Sequence, residues 1–122
     1  MTLQIETAHM DGIPVIHVAG QIDMNNYVEV HELILSEISG GHPNIVLNFK
    51  KLNFMDSATL GMLLRSLDKT KQQGGLLVIV SNPFVDRVLS VTGLTHLFEL
   101  FSSEGAAIAR LTTSALGGQE AV

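Results

Sequence analysis

Five consecutive apolar residues, Leu76-Leu77-Val78-Ile79-Val80, lie between a glycine pair, Gly74-Gly75, and the turn-forming run Ser81-Asn82-Pro83. A segment this short and this rich in branched residues, with no polar face, reads as a strand covered on both sides. That is the situation of a central strand in a parallel sheet. Such a strand needs a layer on each face, so the rest of the chain is read as strands alternating with helices. Ile45-Val46-Leu47-Asn48-Phe49, opening after Pro43-Asn44, supplies a second strand of the same kind.

The segment between these strands is helical from Ser57 onward. Leu60, Leu63, Leu64 and Leu67 mark its apolar face, with Arg65, Asp68, Lys69 and Lys71 opposite and Gly74-Gly75 as the stop. Upstream, Leu3 to Thr7 alternates as a strand. His9-Met10-Asp11-Gly12 makes a turn, and Ile13 to Ala19 returns as the partner strand, so the two form an N-terminal hairpin. Gly20-Gln21-Ile22-Asp23 is a loop leading to Asn25 or Asn26 as a helix cap. Val30, Leu33, Ile34 and Ile38 follow at helical spacing until Gly40-Gly41. After Val80, Asn82 caps a third helix with Pro83 in its first turn. Val85, Val88 and Leu89 form its apolar face and Gly93 ends it. Leu97 to Phe101 is a last strand, and Ser103 to Leu111 a closing helix.

The order β-β-α-β-α-β-α-β-α predicts an α/β fold: a mixed, mostly parallel sheet with right-handed crossovers, an antiparallel edge from the hairpin, and about four helices. With 122 residues the chain is one domain, read as residues 1–113 followed by a flexible tail at 114–122 that carries Gly117-Gly118. A chain of this length buries roughly two-thirds of its unfolded surface. Hydrophobic residues at 46% and charged residues at 16% give it a core and argue against disorder.

The same counts exclude several functions. Seven Lys plus Arg against twelve Asp plus Glu, a formal charge of −5, leave no basic stripe for nucleic acid. Cysteine is absent, which removes disulfides, thiolate metal sites and a cysteine nucleophile, and fits a reducing cytoplasm. The start of the chain shows no basic region followed by an apolar run, and Leu76–Val80 is far too short to span a membrane. His9, His17, His31, His42 and His96 include no pair at i, i+2 or i, i+4, so a metal site has no local signature. Neither a Walker loop nor a Gly-x-Ser-x-Gly elbow occurs.

One stretch carries chemistry. Leu52-Asn53-Phe54-Met55-Asp56-Ser57-Ala58-Thr59-Leu60-Gly61 runs from just beyond the Ile45–Phe49 strand into a helix, and its hinge is Asp56-Ser57. Both residue types favour a helix start. A serine there sits where free N–H groups and the helix dipole favour added negative charge, which suits a phosphorylation switch. Read locally, the pair is also an ordinary cap, and Asp56 either caps the helix or positions the serine. Met55 and Met62 flank the serine. Exposed, they would form an adaptable protein interface; buried, they belong to the core.

Three segments in order resemble the STAS domain, and specifically the stand-alone bacterial anti-sigma factor antagonists. Gly20-Gln21-Ile22-Asp23 is similar to the family's Gly-x-Leu-Asp element. Phe54 to Gly61 is similar to its Asp-Ser-Ser/Thr-Gly-Leu-Gly phosphorylation motif. Val85 to Phe98 is similar to its third helix followed by Thr-Gly-Leu and a phenylalanine strand. The resemblance runs from about Leu3 to Leu111, with one departure: Thr59 stands where the family usually has glycine.

The resemblance implies a non-catalytic cytoplasmic signalling domain that works by partner switching. Unphosphorylated, it would bind an anti-sigma factor that is also a serine kinase of the histidine-kinase-like ATPase fold. Phosphorylation of Ser57 would release it, and a metal-dependent serine phosphatase would restore it. ATP and Mg²⁺ belong to the kinase, so the domain needs no cofactor, nucleic acid or membrane. Ser57 is the expected phosphoacceptor, and Asp23, Asp56, Ser57, Thr59 and Met62 the expected partner surface. Thr59 adds a second hydroxyl open to modification.

Three other readings compete. An accessory STAS subunit docked on a transporter ATPase would use the same surface with no phosphate cycle. A response-regulator receiver also has an aspartate after its third strand, but it needs an acidic pair after the first strand to hold Mg²⁺, and Leu3–Thr7 offers none. A nucleotide hydrolase has no motif here.

Overall fold

A computed structural model describes residues 2–120, with side chains described to residue 113. The elements are β1 (Leu3–Met10), β2 (Ile13–Ile22), α1 (Tyr27–Ser39), β3 (Ile45–Asn48), β4 (Leu52–Met55), α2 (Ser57–Gln72), β5 (Leu77–Val80), α3 (Pro83–Val91), a 3₁₀ turn (Thr95–Leu97), β6 (Glu99–Phe101) and α4 (Glu104–Glu120). The sheet order is β1-β2-β3-β5-β6, and β4 pairs with β2. The β1–β2 hairpin is antiparallel and every other pairing is parallel. This is the α/β architecture expected from the strand and helix patterns.

Alternation along the central strands divides the core into two layers. Ile16, Leu47, Leu77 and Ile79 pack with Val30 and Ile34 of α1, Met62, Leu63 and Leu67 of α2, and Val85 and Leu89 of α3. Val15, Val46, Val78 and Val80 face the other way, onto Ala107, Ile108 and Leu111 of α4. The apolar run at 77–80 has no polar side because both its faces are covered, and all four of its residues are fully buried.

β1 runs on to Met10 and β2 through Ile22, where a turn and a loop were expected, and four further features depart from the sequence reading. First, β4 lies where a connection was expected. After Asn48 the chain turns tightly, with the Leu52 N–H donating to the Phe49 carbonyl (3.0 Å) and the Gly20 N–H to the Lys51 carbonyl (2.9 Å). It then rejoins the same edge of β2, so that β3 pairs with Val15–His17 and β4 with Gly20–Ile22. Asn82 holds this turn: its Nδ2 donates to the carbonyls of Phe49 (3.1 Å), Lys50 (3.1 Å) and Leu52 (2.8 Å), while its Oδ1 accepts the Val85 N–H (2.8 Å) as the cap of α3.

Second, the last strand begins at Glu99, because Thr95–Leu97 winds into the 3₁₀ turn. Third, the closing helix runs to Glu120 rather than Leu111. The tail expected at 114–122 reaches residues 121–122, which lie outside the described residues, as do the side chains of 114–120.

Fourth, the inward stripe of α2 is Thr59, Met62, Leu63, Ser66, Leu67 and Thr70, rotated from the Leu60, Leu63, Leu64 and Leu67 face. Leu60 and Leu64 are only half-buried. The buried hydroxyls are tolerated because they find partners close by. Thr70 donates to the Leu67 carbonyl (2.8 Å), and Ser66 to the Met62 sulfur (3.5 Å).

Candidate functional site

The parallel strands β2 and β4 end side by side, at Ile22 and Met55. Two turns leave that edge: residues 23–26 into α1, and Asp56-Ser57 into α2. Getting the chain to this edge depends on Gly20. Its φ of +91° is left-handed, and a Cβ there would collide with the Thr2 carbonyl oxygen, whose other contact is the Gln21 N–H (3.1 Å).

Asp56 is extended and caps α2. One carboxylate oxygen accepts the Thr59 N–H (3.0 Å) and the Thr59 hydroxyl (2.9 Å). The other accepts the Met24 N–H (2.8 Å), which ties the 23–26 turn to the start of α2. Partial burial pushes this carboxyl up. The hydrogen bonds from Thr59 and Met24 outweigh it and hold the group below the ordinary carboxylate range. Of the two sequence options for Asp56, the structure shows the cap; its other bond goes to the Met24 turn and, among the described residues, none goes to Ser57.

Asp23 closes the neighbouring turn. Its Oδ1 accepts the Asn25 N–H (2.9 Å), its own N–H donates to Asn26 Oδ1 (2.8 Å), and its carbonyl accepts from Tyr27 (2.9 Å). Asn26 stands at the N-cap of α1, but its side chain turns back to Asp23 and to the Gln21 carbonyl (3.1 Å) instead of capping the helix.

Ser57 is exposed on the first turn of α2. Among the described residues nothing accepts from the backbone N–H of Ser57 or Ala58, so the donors beside its hydroxyl are uncommitted. Thr59 and Met62, expected at the partner surface, are fully buried, and this corrects both placements. The Thr59 hydroxyl bonds Asp56 and the Ile22 carbonyl (3.2 Å), so it is a structural group closed to modification in the folded domain. Met55 is buried too.

The exposed apolar residues of this edge are Met24, at 70% exposure, Phe54 of β4, and Val28 at the start of α1. Sequence reading passed over Met24 and Val28, and placed Phe54 in the motif without a role of its own. Met24 had a usable signal, a lone apolar residue in the polar run Asp23-Met24-Asn25-Asn26. This edge therefore carries one exposed hydroxyl, two half-buried aspartates and three exposed apolar side chains. The cavity lined by Gln4, Glu6, His17, Asn48, Lys50 and Lys51 involves none of these residues. Such a surface fits protein docking better than enclosure of a small ligand. Among the described residues no helix is long and apolar enough to cross a membrane.

Residues 4–107 match the family described as the STAS domain. The anti-sigma F factor antagonist of Paenibacillus polymyxa is 32% identical over 113 residues, which cover 91% of this chain and 97% of the relative. An anti-sigma factor antagonist from Mycobacterium paratuberculosis shares the fold with a TM-score of 0.81 at 23% identity, over 91% of this chain and 95% of that one. The Bacillus cell fate determinant SpoIIAA, solved in its phosphorylated form, gives a TM-score of 0.68 at 25% identity, over 89% of this chain and 98% of that one. The chain belongs to the STAS domain family and, within it, to the anti-sigma factor antagonists.

Proposed function

We propose that this domain is a cytoplasmic partner switch with Ser57 as its phosphoacceptor. In the unphosphorylated form it docks through the Met24, Phe54 and Val28 rim, with Asp23 and Asp56, onto an anti-sigma factor that also carries serine kinase activity. The kinase, with its own ATP and Mg²⁺, esterifies Ser57 and the complex loosens. A metal-dependent serine phosphatase reverses the change. The domain itself binds and does not catalyse. The similarity to antagonists over nearly the whole chain supports this reading over an accessory subunit of a transporter ATPase.

The observation that carries the proposal is the contrast between Ser57 and its neighbours. Asp56, Thr59 and the 23–26 turn spend their polar groups on each other, while Ser57 and the N–H groups beside it do not. A phosphate there adds about −1.5 to −2 charges and breaks no bond within the domain. The free helix end tolerates it. A partner packed flat on the same surface must bury or face that charge, next to Asp56. A penalty of a few kcal/mol weakens docking by about a hundredfold.

Incubation with the cognate kinase and ATP should add one phosphate, carried by the Ser57 peptide in mass spectrometry. Ser57→Ala should stay bound under those conditions, and Ser57→Asp or Ser57→Glu should bind more weakly. Equal affinity of the kinase for the phosphorylated and unmodified domain would sink the proposal.

A further inference from the structure

We propose that His9, Glu37 and His42 form a binding site for one divalent transition-metal cation, with Zn²⁺ as its natural probe. The three come from separate elements: the end of β1, the last turn of α1, and the α1–β3 loop. His9 Nε2 lies 2.8 and 2.9 Å from the two Glu37 carboxylate oxygens, and His42 Nδ1 lies 3.7 Å from Oε1. All three donor atoms fall within 4.8 Å of one another. The two rings are 5.6 Å apart and tilted by 59°, which is not a stack.

The backbone builds two-thirds of this arrangement. At the end of α1 the Gly41 N–H donates to the Ile38 carbonyl (3.0 Å) and the His42 N–H to the Glu37 carbonyl (2.9 Å), with Gly41 at φ +91°. That pair of bonds around a left-handed glycine is a Schellman motif, which turns the side chains of its first and last residues toward each other. Those positions ordinarily hold an apolar pair. Here they hold a carboxylate and an imidazole, and β1 delivers a second imidazole against them.

Two imidazoles and one carboxylate, with a fourth position left to water, is a donor set that Zn²⁺ takes in tetrahedral sites. With metal bonds of about 2.0–2.1 Å, ligand atoms around a tetrahedral ion sit roughly 3.3 Å apart. Small side-chain rotations bring the three donors to that spacing. A simple His–Glu hydrogen bond accounts for His9 but not for His42, whose nitrogen is beyond hydrogen-bond reach of the same carboxylate. The Glu37 side chain is 14% exposed and the two imidazoles 49% and 44%, so the carboxylate forms a floor beneath a rim open to solvent. Spacing along the chain could not show the site, because no two ligands share a helical or strand period.

The site lies at the far end of α1 from Ser57. Thirteen residues make α1 about 20 Å long, and the site sits at its C-terminal end, away from the turn at its start that Asp56 ties to α2. A bound cation would fasten the hairpin to α1 without touching the docking surface.

Calorimetric titration of the full chain with Zn²⁺ tests this directly. One saturable site per chain is expected, with a rise in Tm of a few degrees at ligand excess. Glu37→Gln or His42→Ala should weaken binding at least about tenfold. His9→Gln/His42→Gln should remove it, and His96→Ala should leave it unchanged. Imidazole NMR of the unaltered protein gives a readout that needs no variant: Zn²⁺ should shift the ring signals of His9 and His42 and spare those of His31 and His96. Absence of saturable binding, equal binding by the double variant, or shifts at the other histidines would overturn the proposal.

Discussion

Asp56 spends two oxygens on three hydrogen bonds, and that single side chain joins the cap of α2 to the turn before α1. Asp56→Asn keeps the shape but sets an amide donor against either the Met24 N–H or the Thr59 donors. It should cost about 1–2 kcal/mol in urea denaturation at pH 7. The pH dependence follows from the carboxyl being held below its ordinary value of 3.8. Above about pH 4 the unfolded chain is ionised as well, and the stabilisation is fully present. As the pH falls through the lower folded value the carboxylate is protonated and the stabilisation is lost. The gap between the original protein and Asp56→Asn should therefore stay level from pH 7 to pH 5 and close below pH 4. Residue type and position along the chain sufficed to place Asp56 and Ser57 at the start of α2, because helix caps are local. They did not suffice for Thr59 and Met62. Their depth depends on how α2 is rotated on the sheet, and that rotation is set by contacts with β2 and β5 that no local period encodes.

Among the elements, β4 depends on a residue thirty positions away. It is four residues long, its buried positions are the first and last, and it follows a turn rather than a crossover, so it shows neither alternation nor a continuous apolar run. It is a strand by its pairing with β2, and Asn82 holds it there through bonds to the carbonyls of Phe49 and Lys50 in the preceding turn and of Leu52 at its own start. Asn82→Asp separates the two jobs of this side chain. The aspartate keeps the cap on the Val85 N–H, yet it turns a donor into a charge facing carbonyl oxygens. The expected loss is about 2 kcal/mol or more in chemical denaturation, with amide exchange accelerated first in residues 49–55. If capping were all that Asn82 did, Asp would be neutral. The hairpin, β3, β5 and three of the helices were legible because each carries its own local signal: alternating runs about a turn, a continuous apolar run, or a helical period. β4 was not, because the turn that brings it to β2 is held by a distant side chain.

Across the whole molecule, the sheet separates jobs by position. Helices α1, α2 and α3 cover one face and α4 the other. The turns bearing Asp23, Asp56 and Ser57 gather at one end of β2 and β4, and the His9–Glu37–His42 cluster lies at the other end of α1. If Ser57 works as proposed, its modification needs no second conformation of the domain. The hydroxyl is exposed, the donors around it are uncommitted, and the buried stripe behind it from Thr59 to Thr70 is closed by its own bonds. A ligand changes a fold only through a difference in how it contacts two states, and phosphate on this turn contacts one. Amide shift changes on phosphorylation should therefore be confined to residues 21–26 and 52–62. Residues of β5, α3 and α4 should keep their positions in the spectrum, while affinity for the kinase falls about a hundredfold. Shifts spreading through β5 and α4 would mean that the phosphate repacks the core, and the switch would then be conformational rather than electrostatic.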